Sequence, residues 1–412
     1  MTRLGDLHPT TRRLLLARGV RSLGQGALVV DFALYLHALG WSSGAIGMVL
    51  GASSMVGAAL SLMVGTSSDR LRRKPFLLLY EAVISLGSLA ALASANPLVL
   101  GGAAILCGFG RGAGGAAGPF SPAEQAWLAE EVIAEHRGQV YSLNAALGFF
   151  GMGLGALGAS LPAFWSSVLP GAVAYRPLFA LVGLTAVGGL FVIAGAAEKY
   201  HGSRASENRQ ARPRETETRQ QENQILKKLV LVNSLNGLAV GLTGPLMSYW
   251  FALRFHVGPE AIAPVMAVTF VITGVVALMT GELTARIGIV SSVVWERLIG
   301  LLLMALLPMM PAYSLAALCY LLRSALSRGS AGAQQALTVG IVREARRGFA
   351  TSLNAVSTQV PRAAGPVITG MLLDVGQFGL PFFAAAGLQS LYLLYYSRVF
   401  RAYEPSQRHT IV

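Results

Sequence analysis

Stretches of roughly 20 mostly apolar residues, the length that a membrane-spanning helix requires, alternate along this chain with short polar connections. Twelve are readable, six before residue 198 (about 15–39, 43–64, 75–95, 97–120, 138–161 and 177–197) and six after residue 228 (about 229–253, 260–281, 288–309, 313–336, 349–371 and 378–397). Several connections are so short that neighbouring helices must run antiparallel. One segment breaks the rhythm. Residues 198–228 are rich in Arg, Glu, Gln and Asn and have almost nothing apolar to bury, which predicts a mobile or partly helical linker. The pattern predicts an all-α membrane protein with twelve transmembrane helices in two six-helix bundles, residues 1–197 and 229–412, joined by the charged linker 198–228.

The halves repeat one another. Arg137-Gly138 followed by Ser142-Leu143-Asn144-Ala145 recurs as Arg347-Gly348 followed by Ser352-Leu353-Asn354-Ala355, each residue displaced by 210 positions (347 minus 137). At the same displacement Gln125-Ala126 matches Gln335-Ala336, and Glu124 falls on Gln334. Earlier in each half, Gly65 and Arg70 match Gly281 and Arg286, displaced by 216. Matches in the same order along both halves argue for duplication. A parallel repeat of six helices is the layout of transporters whose two bundles rock about a central site.

Composition sharpens this reading. Of 412 residues 54% are hydrophobic and only 12% charged, half the charged share of a soluble domain, and mean hydropathy is +0.57. The formal net charge of +13 would suggest nucleic-acid binding in a soluble protein, but here the cations lie between apolar segments and report topology. With the N-terminus inside, Arg3, Arg12, Arg13, Arg70, Arg72, Arg73, Lys74, most of the linker, Arg343, Arg346, Arg347, Arg398, Arg401 and Arg408 share one side. The outer connections keep Arg176 and Arg254. Both termini are therefore expected in the cytoplasm. The first apolar run, from Leu14, reads as a span rather than a signal peptide.

Several chemistries have no support in the sequence. Cys107 and Cys319 lie in apolar stretches without metal-ligand or disulfide spacing. No phosphate loop, H-E-x-x-H or G-x-S-x-G pattern occurs, so no cofactor, metal site or enzymatic activity is expected. Energy would come from an ion gradient or from the solute's own gradient.

The connection after the second span reads Gly65-Thr-Ser-Ser-Asp69-Arg70-Leu-Arg72-Arg73-Lys74. It resembles the G-x-x-x-D-R-x-G-R-K/R motif of the major facilitator superfamily, with Arg72 in place of the usual glycine. Its second-half counterpart, Gly281-Glu-Leu-Thr-Ala285-Arg286-Ile-Gly288, has lost the acid. The resemblance implies a conformational latch made by Gly65, Asp69, Arg70 and Arg73, in which charge-assisted bonds form in one state and break in the other. In the fourth span, Gly110-Arg111-Gly112-Ala113-Gly114 is similar to the R-x-x-x-G motif of twelve-helix drug:proton antiporters, whose arginine is linked to proton transfer. The fifth span carries Gly148, Gly151, Gly153, Gly155 and Gly158 without the proline of the antiporter pattern. A Gly365-Pro366 pair lies in the eleventh span, with Gly155 as the counterpart of Gly365.

Buried charges supply the candidate site. Asp31 lies mid-span in Val29-Val30-Asp31-Phe32, where keeping a carboxylate charged is costly. Asp31 and Arg111 are the candidates for proton coupling, with a direct substrate contact or a static ion pair as alternatives for Asp31. Arg21, about 15 Å along the helix from Asp31, is a cavity candidate with Tyr35, Asn233, Asn236, Tyr249, Arg323 and Arg362, and Arg18 is expected to snorkel towards the headgroups. The expected function is secondary active transport of a small organic solute by alternating access, as proton-coupled efflux from a bacterial inner membrane. The expected partners are that solute, protons and the lipid bilayer, with the protein a monomer. Two alternatives stand beside it: uptake or exchange of an organic anion, through the positive interior supplied by Arg323, Arg328 and Arg362, and a non-transporting receptor with a transporter fold.

Overall fold

A computed structural model describes residues 7–68, 72–111, 118–133, 136–198, 215–287, 289–329 and 347–400. The first half comprises α1 (Pro9–Ala38), α2 (Ser43–Ser68), α3 (Arg73–Ala93), α4 (Pro97–Cys107), α5 (Ser121–Glu131), α6 (Arg137–Gly158), α7 (Leu161–Trp165) and α8 (Pro177–Ala194). The second comprises α9 (Glu215–Thr243), α10 (Met247–Phe255), α11 (Pro259–Ile287), α12 (Ile289–Leu306), α13 (Tyr313–Gly329), α14 (Arg347–Asp374) and α15 (Leu380–Phe400). Local chemistry sets many of these boundaries. Pro9, Pro97 and Pro177 open their helices where a missing N–H costs nothing, and the Asn96 side chain accepts from Leu98 N at 2.9 Å to cap α4.

Each predicted span has helical residues in place, and two of the spans are interrupted. The fourth is not continuous. Helix α4 stops at Cys107 because Gly108 and Gly110 take φ of +79° and +68°, left-handed geometry that glycine adopts without strain, and helix is next described from Ser121. The seventh is broken after Thr243 at Gly244-Pro245, where proline cannot donate the next helical hydrogen bond, and continues as α10. Residues 215–228 of the expected linker belong to α9, while residues 199–214 lie outside the described residues.

The packing repeats as the sequence does. Helix α1 packs on α6 and α8, and α9 packs likewise on α14 and α15. The pairs α3–α8 and α3–α4 are mirrored by α12–α15 and α12–α13. Between the bundles, α2 lies along α14 and α6 along α11, again as counterparts. Close approach explains part of the glycine content. A β-carbon at Gly155 would overlap the backbone of α1 at Leu23, and one at its counterpart Gly365 would overlap α9 at Gly241.

Among the described residues, six segments are individually long and apolar enough to cross a membrane: Ser43–Val64, Arg73–Ala93, Gln139–Trp165, Gly171–Ala194, Asn223–Thr243 and Pro259–Met279. Other spans are interrupted or carry buried charge, as α1 does. The perimeter is apolar, with Leu86, Leu98, Leu184 and Phe191 all at least 68% exposed, whereas Arg21, Asp31, Glu81 and Glu124 are at most 3% exposed. Apolar residues outside and charges inside suit a lipid surround.

Candidate functional site

The first bundle buries its charges in two different settings. In one, Arg21 of α1 is clamped between carboxylates from two other helices. Its Nη2 donates to Glu124 Oε2 of α5 at 2.8 Å, and its Nε lies 3.0 Å from Glu81 Oε1 of α3. Asn144 of α6 donates to the other Glu124 oxygen at 3.3 Å, and the Tyr80 ring lies under the guanidinium, 5.6 Å from its carbon. Arg18 is also buried here. It does not snorkel, because its side chain turns onto α6 against Gly148. Arg21, a cavity candidate by sequence, thus belongs to a knot joining α1, α3, α5 and α6.

The second setting is the break after α4. The guanidinium of Arg111 folds back beside Gly57 of α2 and Gly108, where a β-carbon would stand 2.6 Å and 2.7 Å from its central carbon. Its Nε donates to Ser53 Oγ at 3.1 Å, and Ser53 in turn donates to the Ala104 carbonyl at 3.1 Å. The buried Nη2 finds no acceptor among the described residues. A cavity of about 30 Å³ opens against it, lined by Gln25, Leu28, Tyr80, Cys107, Phe109 and Arg111 itself.

Asp31 is fully buried on α1, and neither carboxylate oxygen has a hydrogen-bond partner among the described residues. It makes no ion pair with Arg111, so the two coupling candidates are not in contact. Tyr35, one turn further along, is 1% exposed and packs on Tyr175 and Phe179 with ring centroids 6.0 Å and 5.4 Å away; its hydroxyl is also unpartnered among the described residues.

In the second bundle, Asn236 accepts from Arg297 Nη1 at 2.6 Å and from Gln389 Nε2 at 3.3 Å, and the Arg297 guanidinium lies over Tyr392. Asn233 donates to Asn354 Oδ1 at 2.7 Å. Arg323 Nη2 donates to Thr243 Oγ1 at 3.0 Å beside the break in the seventh span, and Arg362 is half-buried on α14.

Where α1 ends and α2 begins, polar contacts tie the bundles together. The Asp374 carboxylate, the last residue of α14, accepts from Ser43 N at 2.7 Å and Gly44 N at 2.8 Å, so it caps the N-terminus of α2. The Tyr249 hydroxyl of α10 bridges Ser43 Oγ at 2.9 Å and His37 Nδ1 at 3.1 Å, and Trp250 donates to the Phe378 carbonyl at 2.9 Å. Four helices (α1, α2, α10 and α14) meet in this network. Tyr249 was legible in the sequence as a candidate; Asp374 was not, although an acid just past the end of an apolar run was the available signal. Asp374 lies beyond the predicted eleventh span. Desolvation alone would raise its carboxyl, but the Gly44 and Ser43 donors together outweigh that and hold it below the ordinary carboxylate range.

At the opposite end of α2, Asp69 and Arg70 lie outside the described residues, as does the surrounding of Gly65. Arg73 is described and bonds within the first bundle, with Nη1 2.6 Å from Glu130 Oε2 of α5. Glu198 accepts from Arg73 N at 2.6 Å and from Lys74 N at 3.2 Å to cap α3.

No curated protein matches the chain in sequence. Among solved structures, a point mutant of the nucleoside transporter NupG superposes with TM-score 0.72 at 12% identity, over 95% of this chain and 100% of that one. A bacterial homologue of the human lysosomal transporter Spinster, inward-facing and unoccupied, gives TM-score 0.69 at 14% identity, over 97% and 98%. The D-xylose-proton symporter gives 0.69 at 16%, over 94% and 96%. Identities this low carry the fold alone. The family pattern of the Major Facilitator Superfamily matches residues 14–321.

Proposed function

The chain belongs to the Major Facilitator Superfamily, and from that premise we propose that it is a proton-coupled exporter of a small organic solute, akin to the drug:proton antiporter branch. A multi-pass membrane transporter working by alternating access is what the family and fold provide. The observation that carries the finer reading is Asp31, a carboxyl group wholly inside the first bundle with both oxygens unpartnered among the described residues. A permanent structural carboxylate in such a place would be hydrogen-bonded or ion-paired, as Glu124 is. A group left without partners is suited to taking up and releasing a proton as its surroundings alternate between wet and dry.

In this reading Arg111 is the cation of the same bundle that responds to the charge on Asp31. The seal made by His37, Ser43, Tyr249 and Asp374 lies on the outer side, with both termini in the cytoplasm of a bacterial cell. Gly65, Asp69, Arg70 and Arg73 make the inner latch, so that α2 and α14 are held at one end or the other in turn. Tyr35, Tyr249, Arg323 and Arg362 border the solute path, and the protein works as a monomer.

The test is flux in proteoliposomes with an imposed pH gradient and an internal pH dye, run with a panel of lipophilic cations, neutral compounds and organic anions. Proton movement that appears only with a particular solute, and disappears in Asp31→Asn, supports the proposal. Solute flux that persists unchanged in Asp31→Asn removes Asp31 from the coupling and with it the proton-antiport reading.

A further inference from the structure

The break in the fourth span has a feature that proton handling leaves unexplained. Arg111 is half-buried, yet its hydrogen-bonded partner is a neutral hydroxyl, Ser53 Oγ, and its buried Nη2 has none among the described residues. The nearby carboxylates are committed elsewhere, since Glu81 and Glu124 both face Arg21. Asp31 makes no bond to it, and residues 112–117, which follow directly, read Gly-Ala-Gly-Gly-Ala-Ala and bring no acid.

An uncompensated guanidinium in a protein interior is strongly disfavoured unless an anion completes it. Space for one is at hand, because the cavity of about 30 Å³ opens against this side chain. That exceeds the roughly 10–15 Å³ that one water needs, so a compact group fits. Besides Arg111, the lining residues with polar side chains are Gln25, Tyr80 and Cys107; the Cys107 thiol already donates to the Val83 carbonyl at 3.4 Å, which leaves the Gln25 amide and the Tyr80 hydroxyl as further donors. The backbone fits as well. Gly57 and Gly108 leave room for the guanidinium to fold back, and non-helical backbone at membrane depth is tolerated where it lines a cavity.

We propose that the cavity at the α4 break is an anion subsite in which Arg111, with Gln25 and Tyr80, binds a compact singly charged group, either the carboxylate of a transported solute or a free monovalent anion. The inference rests on the reading of the chain as a transporter for its role, and on the geometry alone for binding. It places the positive contact for an anionic solute in the first bundle, whereas the sequence pointed to Arg323 and Arg362 in the second.

The test is thermal unfolding of the purified full chain in detergent, in Tris–HEPES buffer free of small inorganic anions and carboxylates. Acetate, benzoate and chloride are titrated in separately, for wild type, Arg111→Met and Arg111→Lys. Wild type is expected to gain Tm saturably with at least one anion. Arg111→Met should need about tenfold more of it or fail to respond, as loss of one charge-assisted bond implies, with Arg111→Lys in between. Without anion, Arg111→Met should melt at or above the wild-type Tm, because it removes an uncompensated charge.

Protection by acetate and benzoate but not chloride identifies the solute's carboxylate as the source, and protection by chloride alone identifies a free ion. Equal responses in wild type and Arg111→Met overturn the proposal. So does a clear loss of Tm in Arg111→Met without anion, which would make Arg111 a structural partner. Flux in proteoliposomes separates the two readings. Solute transport without anion protection leaves the transporter standing and removes the subsite, whereas protection without any transport does the reverse.

Discussion

The two bundles bury a polar knot at the same place and build it from different chemistry. In the first, Arg21 of α1 faces Glu81 of α3; in the second, Asn236 of α9 faces Arg297 of α12, displaced by 215 and 216 positions. The cation has moved from the first helix of the repeat to the third. Asn144, which supports the first knot, has its counterpart Asn354 bonded to Asn233 near the second. Duplication has kept the site of interhelical bonding while the charges changed partners. The first knot sets full charges against one another, whereas in the second the Asn236 amide, itself bonded to Gln389, accepts from the Arg297 guanidinium. Position in a repeat therefore does not reveal whether a buried charge is structural. What it faces is the more direct guide: Arg21 lies against two carboxylates, while both Asp31 oxygens and Arg111 Nη2 have no hydrogen-bond partner among the described residues.

The largest effect expected from this contrast is in the charged knot. Arg21→Met leaves Glu81 and Glu124 buried without their cation and should cost about 3–5 kcal/mol, read as a large drop in Tm or loss of the folded protein in detergent. Combining it with Glu81→Gln and Glu124→Gln should recover much of the loss. An unchanged Tm in the single variant would return Arg21 to the solute path.

The amide knot should be milder. Asn236→Leu removes one acceptor of Arg297 and should cost about 1.5–3 kcal/mol, the range for a hydrogen bond to a charged group. A cost equal to that of Arg21→Met would erase the distinction between the bundles. Gly155→Ala and Gly365→Ala probe what the halves share. Each forces a β-carbon onto a facing backbone, and about 1–3 kcal/mol is expected for both. A loss at one position alone would break the equivalence of the α1–α6 and α9–α14 contacts.

The smallest effect is at the seal between the bundles. Asp374 is exposed, so Asp374→Asn should lower stability by less than about 1 kcal/mol. Its readout is access rather than Tm, for example faster labelling of a cysteine placed at Leu39. The carboxyl is held below its ordinary value in the sealed form. The contact is therefore complete above the ordinary carboxylate pKa of about 4 and is lost as pH falls through the lowered value. Labelling of the otherwise wild-type protein, taken relative to a fully exposed thiol at the same pH because the thiolate is the reacting species, should stay flat from about pH 8 to 5 and rise only under stronger acid, and Asp374→Asn should abolish that rise.

The helices, their count and the duplication were legible because length and apolarity are local properties and a repeat is visible in one dimension. The interruptions were not, although their residues were in view. Gly108 and Gly110 looked like any small residues of a membrane helix, and only their left-handed backbone ends α4 at Cys107. The ionisable residues inside the spans were visible in the sequence, but pairing is a property of three dimensions. Arg21 was judged by its distance along α1 from Asp31, whereas its partners come from α3 and α5. Arg18 read as a snorkelling side chain because its end of the helix was known and the face it presents to α6 was not. Asp374 escaped notice because its partners are backbone N–H groups of a helix more than 300 residues away, which no side-chain motif announces.

The central claim is that an unpartnered buried carboxyl serves transport and not the fold. The most direct measurement pairs Tm in detergent with solute-dependent proton flux in proteoliposomes for one variant, Asp31→Asn. The account predicts a Tm at or above that of wild type together with loss of the coupled proton movement. A variant that unfolds, or one that moves protons with solute as the wild type does, would contradict it.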